Sequence, residues 1–193
     1  MRKILEKYYS LLTAIFVFII YLTTLAPTVD KIDSGELAAV QLTLGIAHPT
    51  GYPLFSLLGY LFSLIPFPLA EITQLNLLAA IYCASAVWVF IVLQNKLLNY
   101  VHVQSNVNSK SKKQFPNLVT ENTIKIFASI AGLVLAFNTT FWEQSTSTEV
   151  YSLHLLILVS IIYFAFSSFT KEKTSDKDWL IASVLLAFGF SNH

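Results

Sequence analysis

The sequence predicts an all-α integral membrane protein of about five transmembrane helices, with two further helices at the membrane surface. Its 193 residues are 55% hydrophobic and only 12% charged, whereas soluble domains are about 25% charged. The apolar residues also occur in blocks of about 17–25, the length that a helix needs to cross about 30 Å of hydrocarbon. The formal net charge of +1 gives no reason to expect a nucleic-acid partner. The low charge content and the apolar blocks together make the lipid bilayer a predicted partner.

The apolar blocks define the elements in chain order. The first block follows three basic residues, exceeds the length of a signal-peptide core and has no small-residue cleavage site after it, so we expect a retained span. A polar, lysine-bearing stretch at 95–125 is predicted to be a cytoplasmic loop. The single cysteine, Cys83, lies inside an apolar block and excludes an internal disulfide. The predicted spans are at about residues 8–26, 72–94, 126–142, 150–169 and 179–193.

The segment Pro53–Leu69 decides the orientation of the chain. If it does not span, eleven of the twelve basic residues share the side of the N-terminus and only Lys31 lies opposite; if it spans, three lie inside and nine outside. The positive-inside rule favours the first topology, with a cytoplasmic N-terminus. Two prolines also end the helix of this segment after about thirteen residues, near 20 Å, which is too short to span. The first outer loop is thus predicted to carry surface helices at about 34–46 and 53–65.

Asp33 and Glu36 begin the first surface helix and allow two interpretations. As a capping box, Asp33 is the N-cap and Glu36 reaches back to it, and both carboxylates suit the helix dipole. As a site, the same spacing places both carboxylates on one helix face, beside the membrane and opposite the acidic end of a later loop. The two roles are compatible.

Further polar residues lie where the outer loops meet the predicted spans. His48 and Tyr52 belong to a turn rich in Pro and Gly, where such side chains are interface anchors or ligand contacts. In the second outer loop, a carboxylate entering a span costs up to about 2.5–3.5 kcal/mol and usually faces protein or water. That loop supplies Glu143, Glu149, Tyr151 and His154.

Several common enzyme signatures are missing from the sequence. It contains no phosphate-binding Gly loop, no zinc-spaced Cys or His set and no Ser nucleophile elbow. Any catalysis is therefore predicted to be carboxylate chemistry at the interface.

Six short motifs, spread over nearly the whole chain, carry a family resemblance. They are Leu25-Ala26-Pro27-Thr28, Asp33-Ser34-Gly35-Glu36, the segment Gly45–Phe55 with its His-Pro-Thr-Gly-Tyr-Pro core, Trp142-Glu143-Gln144, Glu149-Val150-Tyr151-Ser152-Leu153 and the terminal Gly189–His193. This set resembles the domain of unknown function 2723 family, which includes the transmembrane protein 260 type of protein O-mannosyltransferase. The resemblance implies a glycosyltransferase-C fold, in which the first outer loop carries two surface helices and an acidic residue near a lipid-linked donor.

The resemblance also implies an activity and its partners. Members transfer a sugar, here mannose, from a polyprenyl phosphate to an acceptor protein or glycan on the outer or lumenal side, in the bacterial plasma membrane or the endoplasmic reticulum. The resemblance implies an inverting transferase with Asp33 as base and Glu36 as its helper, and a reaction that requires no metal and no cofactor. His48 and Tyr52 are then expected to bind phosphate or sugar. The full set of expected substrate contacts is His48, Tyr52, Glu143, Glu149, Tyr151 and His154.

Three alternatives remain open at the level of sequence. The chain has fewer spans than a catalytic module of this superfamily, which suggests the N-terminal part of one multi-spanning domain, residues 1–193, or a non-catalytic truncated copy. A transporter or lipid-handling protein is a second alternative, because the short, interrupted segment near Pro53 resembles the broken helices of transporters. A membrane scaffold is the third.

Overall fold

A computed structural model describes residues 2–30, 32–108, 120–171 and 176–192. These residues form eight α-helices and no strand. In chain order these helices are α1 (Arg2–Thr23), α2 (Ser34–Thr43), α3 (Pro53–Ser63), α4 (Glu71–Asn108), α5 (Glu121–Ala136), α6 (Thr139–Thr146), α7 (Val150–Phe169) and α8 (Asp176–Asn192). The all-α prediction is confirmed for these residues. Helices α2 and α3 begin at the predicted starts of the surface helices at 34–46 and 53–65, and each ends two or three residues earlier than predicted.

Two helices are long and apolar enough to cross a membrane. They run over Glu71–Ser105 and Val150–Phe169, and the bent pair of α5 and α6 makes a third candidate if it counts as one span. The apolar parts of α1 and α3, Tyr8–Thr23 and Pro53–Ser63, are shorter. The described helices thus support a membrane protein with two or three spans, and the count of about five stays a prediction.

The predicted loop at 95–125 is largely wrong. Helix α4 continues past Gln94 to Asn108, and α5 already begins at Glu121. Polar Gln, Asn and Lys residues end an apolar span but are compatible with helical backbone, so the loss of hydrophobicity after Gln94 does not end the helix. Residues 109–119 of the predicted loop lie outside the described part of the chain.

The predicted span at 126–142 is broken rather than straight. Helix α5 ends at Ala136, and α6 turns away from it by 68°. The Asn138 side chain accepts the backbone N–H of Thr140 (3.2 Å) and so caps a new helix. At the break, the buried Tyr21 hydroxyl donates to the Ala136 carbonyl at 2.8 Å, which satisfies a helix-end acceptor.

The main core lies between α1, α4, α5 and α7, and small residues line much of it. The helices approach closely because side chains such as Ala80, Cys83 and Ala128 are fully buried. Gly132 of α5 lies directly against Ile91 of α4, where an added Cβ would be 2.3 Å from Ile91 Cγ1. This core brings the starts of α4 and α7 together at one end of the bundle.

A second core attaches the α2–α3 hairpin to the start of α7. Leu37 of α2 and Phe55 of α3 are buried against Val150 and Leu153 of α7. Within the hairpin, the buried Gln41 side chain donates to the Phe55 carbonyl at 3.1 Å. The hairpin therefore packs against the beginning of α7, and this packing positions the candidate site.

Candidate functional site

Five predicted site residues meet in a small cavity where the hairpin packs on α7. The cavity has a volume of about 100 Å³, and Leu37 and Val150 form its apolar wall. The chemistry-bearing residues that line it are Asp33, His48, Tyr52, Glu149 and Tyr151. Two carboxylates, one imidazole and two phenols thus share one space, although the chain separates the first three from the last two by about a hundred residues.

Local backbone geometry brings His48 and Tyr52 to the cavity. Helix α2 ends in a left-handed residue, Leu44 (φ 53°), and the Gly45 N–H bonds back to the Val40 carbonyl at 3.0 Å. Gly51 has φ +90°, which favours glycine, and it lets the chain reverse before Pro53 starts α3. The turn therefore points back over α2 instead of extending along the membrane.

Glu36 holds this turn instead of capping α2. Its Oε1 accepts the backbone N–H of His48 at 2.8 Å, and its Oε2 lies 3.2 Å from His48 Nδ1. These bonds, with the backbone N–H first in importance, hold the pKa of the Glu36 carboxyl below its usual value. The ring continues the chain of contacts, since His48 Nε2 lies 3.2 Å from the Tyr52 hydroxyl. A carboxylate, an imidazole and a phenol are thereby linked in series, with Tyr52 and His48 facing the cavity.

The predicted capping box is therefore wrong. Asp33 precedes α2 with helical backbone angles (φ −91°, ψ −14°), and its side chain makes no cap hydrogen bond. The carboxylate oxygens of Glu36 bond to His48, twelve residues on in the chain, rather than to the start of α2. What remains of the two interpretations is the site: Asp33 lines the cavity, and Glu36 lies behind it.

The second outer segment contributes unevenly. Glu149 occupies the N-cap position of α7 and lines the cavity with Tyr151. Tyr151 also borders a neighbouring groove of about 420 Å³, which His154 lines from the next turn of α7. Glu143 lies on the exposed face of α6, outside the cavity. Asp33 and Glu149 thus share a site directly, whereas His154 is one groove away and Glu143 is separate from both.

Sequence reasoning missed one residue that organises this end of the molecule. Asn76, near the start of α4, is fully buried and hydrogen-bonds both outer segments. The signal in the sequence is a primary amide inside an otherwise apolar block, which requires partners if it is buried. Among the described residues, no group of three or more His, Cys, Asp or Glu side chains could hold a metal ion.

The fold and the cavity together define a helical membrane protein with a carboxylate and imidazole site at one end of its bundle. The chain belongs to a known family: the family model for the "Protein O-mannosyl-transferase TMEM260 N-terminal domain" matches residues 33–193. The matched region begins at Asp33 and includes all the candidate residues described above.

Curated relatives carry the same name. The chain is 28% identical to the mouse "Protein O-mannosyl-transferase TMEM260" over 166 residues, which are 82% of this chain and 19% of the mouse protein. It is 56% identical to the Dictyostelium discoideum "Protein O-mannosyl-transferase tmem260" over 45 residues, which are 23% of this chain and 6% of that protein. The chain thus spans about a fifth of the mouse relative's length. No solved structure matches it.

Proposed function

We propose that this chain is the N-terminal part of a protein O-mannosyltransferase, and that its cavity forms part of the active site. The enzyme transfers mannose from a polyprenyl phosphate to a Ser or Thr hydroxyl of an acceptor protein on the extracytoplasmic side. The observation that carries the proposal is the meeting of Asp33, His48, Tyr52, Glu149 and Tyr151 in one cavity. The names of the relatives support the reaction class.

The proposed topology follows from the same arrangement. The segments before α2 and after α6 meet in this cavity, so they must share a compartment. With the N-terminus cytoplasmic, as the basic residues indicate, that compartment is extracytoplasmic. About five spans of a glycosyltransferase-C fold, at α1, α4, α5–α6, α7 and α8, then place α2 and α3 along the outer membrane surface.

The proposed reaction is an inverting displacement. The Asp33 carboxylate accepts the proton of the acceptor hydroxyl while that oxygen attacks the anomeric carbon of mannose. The bond between the anomeric carbon and the phosphate oxygen breaks, and polyprenyl phosphate leaves as an anion. The leaving group is already an anionic phosphate, so no acid is required to expel it.

The contacts of Glu36 support Asp33 as the base. Both Glu36 oxygens are bonded to His48 and Glu36 does not line the cavity, whereas Asp33 does. The role of Glu36 is to orient His48, which in turn holds the Tyr52 hydroxyl at the cavity, where both side chains are placed to contact the phosphate or the sugar. Glu149 and Tyr151 approach from the opposite wall and are placed to bind the acceptor, with His154 further along the groove.

The decisive experiment is the Asp33→Asn variant of the complete enzyme, assayed with polyprenyl-phosphate mannose and an acceptor peptide. Loss of the general base lowers the transfer rate by about 10²–10⁴-fold. Asp30→Asn is the matched control, because Asp30 is an exposed carboxylate on the same connection, and it retains the wild-type rate. An Asp33→Asn enzyme that transfers at the wild-type rate removes Asp33 as the base. A wild-type enzyme that uses only a nucleotide sugar rules out the lipid donor.

The bend between α5 and α6 supports a second candidate, a lipid-handling protein. Broken helices build the binding sites of many transporters, and this break of 68° adjoins the groove lined by His154. Purified protein in vesicles distinguishes the two. Movement of a labelled polyprenyl phosphate between leaflets without sugar transfer favours lipid handling, and transfer without movement favours the enzyme.

A further inference from the structure

The Asn76 side chain uses its full hydrogen-bonding capacity inside the protein. Its Nδ2 donates to the Ala26 carbonyl at 2.9 Å and to the Thr28 carbonyl at 3.4 Å. Its Oδ1 accepts the Thr148 backbone N–H and the Thr148 hydroxyl, both at 2.8 Å. An asparagine has two donors and two acceptor positions, so all four are filled. The partners also fix the orientation of the amide, because carbonyls only accept and a backbone N–H only donates.

These four bonds join the two segments that lead to the cavity carboxylates. Ala26 and Thr28 lie on the connection between α1 and α2 that continues to Asp33, and Thr148 directly precedes Glu149. The Ala26 N–H also donates to the Thr146 carbonyl at 2.9 Å, which links the same two segments once more. Asn76 is fully buried, and Thr148 is 2% exposed. Water therefore does not compete for the bonds between Asn76 and Thr148, whereas the connection at Ala26 and Thr28 is more exposed.

We propose that Asn76 is a positioning residue that sets the register of the two segments, so that Asp33 and Glu149 face one cavity. The proposal deepens the proposed transferase function and rests on it for its kinetic consequence. A slip of one residue along an extended connection moves the chain by about 3.3–3.6 Å. A misplacement of about 1 Å at a catalytic centre can lower a rate about 10²-fold. The Asn76 bonds therefore matter for catalysis even though Asn76 does not line the cavity.

The matched control for Asn76 lies two residues earlier on the same helix. Gln74 is 4% exposed, and its amide donates to the Phe62 carbonyl at 2.8 Å and to the Ile65 carbonyl at 2.9 Å, at the end of α3. Gln74→Leu thus removes two buried hydrogen bonds but leaves both segments beside the cavity untouched. A purely structural role predicts the same consequences for Asn76→Leu and Gln74→Leu.

The experiment measures kinetics and distance in the complete chain. Nitroxide labels at Thr28→Cys and Thr146→Cys report the separation of the two segments, and the native Cys83 is fully buried and stays unlabelled. Asn76→Leu broadens the distance distribution and lowers kcat by about 10–100-fold, with KM for polyprenyl-phosphate mannose within about 3-fold of wild type. Gln74→Leu keeps the wild-type distance, and its kcat stays within about 3-fold.

Thr148 variants keep the test decisive if Asn76→Leu does not fold. Thr148→Val removes one donor to Asn76 while keeping the shape and the backbone N–H, and it lowers kcat by about 3–10-fold. Thr148→Ser restores the hydroxyl and most of the rate. Equal losses in Asn76→Leu and Gln74→Leu, or a wild-type distance and kcat in the Asn76 and Thr148→Val variants, overturn the proposal. A wild-type protein that transfers no mannose refutes the transferase instead, and the label distances alone then decide the role of Asn76.

Discussion

The two ends of the helix bundle are held together by different kinds of interaction. At the end that carries the cavity, buried amides of Gln41, Gln74 and Asn76 donate to backbone carbonyls. At the opposite end, charged side chains connect the helices. The Lys96 ammonium donates to Ser167, and Lys171 pairs with Asp178 across the connection between α7 and α8. Apart from the Glu36–His48 contact in the turn, the cavity end is held by short neutral groups, and the opposite end by long charged ones.

This difference affects how well each end can hold a fixed geometry. An amide bound to main-chain atoms fixes the backbone itself and does not respond to ionic strength. A lysine reaches its partner through a flexible chain, loses side-chain entropy in doing so, and is screened by salt when it is exposed. Only the cavity end is therefore built to keep two carboxylates from distant segments in a defined arrangement, as the proposed chemistry requires.

The largest effect expected after that of Asp33→Asn tests whether the second segment contributes charge to the site. Glu149→Gln keeps the size of the side chain but removes the negative charge from the cavity wall, so we expect transfer to fall by about 10²-fold. The measurement is the single-turnover rate with polyprenyl-phosphate mannose. Glu71→Gln is the control, because Glu71 is an exposed carboxylate in the first turn of α4. Equal rates in the two variants would confine the site to the α2–α3 hairpin.

The next effect concerns the packing that supports the hairpin. At Gly59 an added Cβ would be 2.1 Å from Gln41 Cδ, so Gly59→Ala displaces the amide that binds the Phe55 carbonyl. We expect a loss of about 1–3 kcal/mol, the usual cost of overpacking, seen as a lower midpoint of unfolding in detergent. Gly189→Ala is the control: its Cβ would meet Ile157 at an ordinary 3.6 Å, and the gain in helix propensity raises stability by up to about 1 kcal/mol. If Gly59→Ala leaves the unfolding midpoint unchanged, the Gln41 side chain does not hold α2 and α3 together in a fixed position.

A smaller, pH-dependent effect is expected at the Glu36–His48 contact. The pKa of Glu36 is lowered in the folded protein, so the contact stabilises the turn above the usual glutamate pKa of 4.5 and is lost as pH falls through the lower folded value. Hydrogen exchange at the His48 amide, corrected for its intrinsic rate, is therefore expected to speed up as the pH falls below the usual glutamate range.

Two variants isolate the cause of this pH dependence. Glu36→Gln removes the ionisation, so the acid-induced part of the His48 exchange disappears. Glu121→Gln removes another exposed glutamate, which pairs with Lys125 at 2.6 Å far from the turn, and leaves the His48 profile unchanged. If Glu36→Gln retains the wild-type profile, another group controls the turn.

The parts of this structure that the sequence predicts are those that depend on local patterns. Apolar blocks locate α4 and α7, and Pro53 marks the start of α3, because span length and proline geometry are local properties. The break at Asn138 is harder to predict, since its Asn-Thr-Thr sequence is compatible with helix, and the break is marked by the Asn138 cap of α6 and by the bond from Tyr21 to the Ala136 carbonyl. The sequence does not predict that α4 continues to Asn108 for a related reason, because hydropathy indicates where a helix leaves the membrane rather than where the helix ends.

The candidate site likewise has features that local patterns predict and features that depend on tertiary contacts. The residue types and outer-loop positions of Asp33, His48 and Glu149 are visible in the sequence, but their meeting in one cavity depends on tertiary packing. Glu36 illustrates the limit: its spacing from Asp33 fits a capping box, yet a partner twelve residues away, His48, takes both its oxygens. Asn76 could be suspected only as an unexplained amide, because its partners lie in two segments that are distant in the chain.

The smallest expected effect tests the opposite end of the bundle. The Lys171 side chain is 47% exposed and its partner Asp178 11%, so Lys171→Ala should lower the unfolding midpoint by about 2 °C or less in dilute buffer. The difference from wild type should shrink in 1 M salt, where the Debye length falls to about 3 Å. Lys177→Ala, an exposed lysine on the same helix as Asp178, controls for net charge. The loss caused by Asn76→Leu should not change with salt, because the bonds it removes are neutral and buried. A salt-dependent Asn76 effect, or a Lys171 effect that persists in 1 M salt, would mean that both ends are held in the same way.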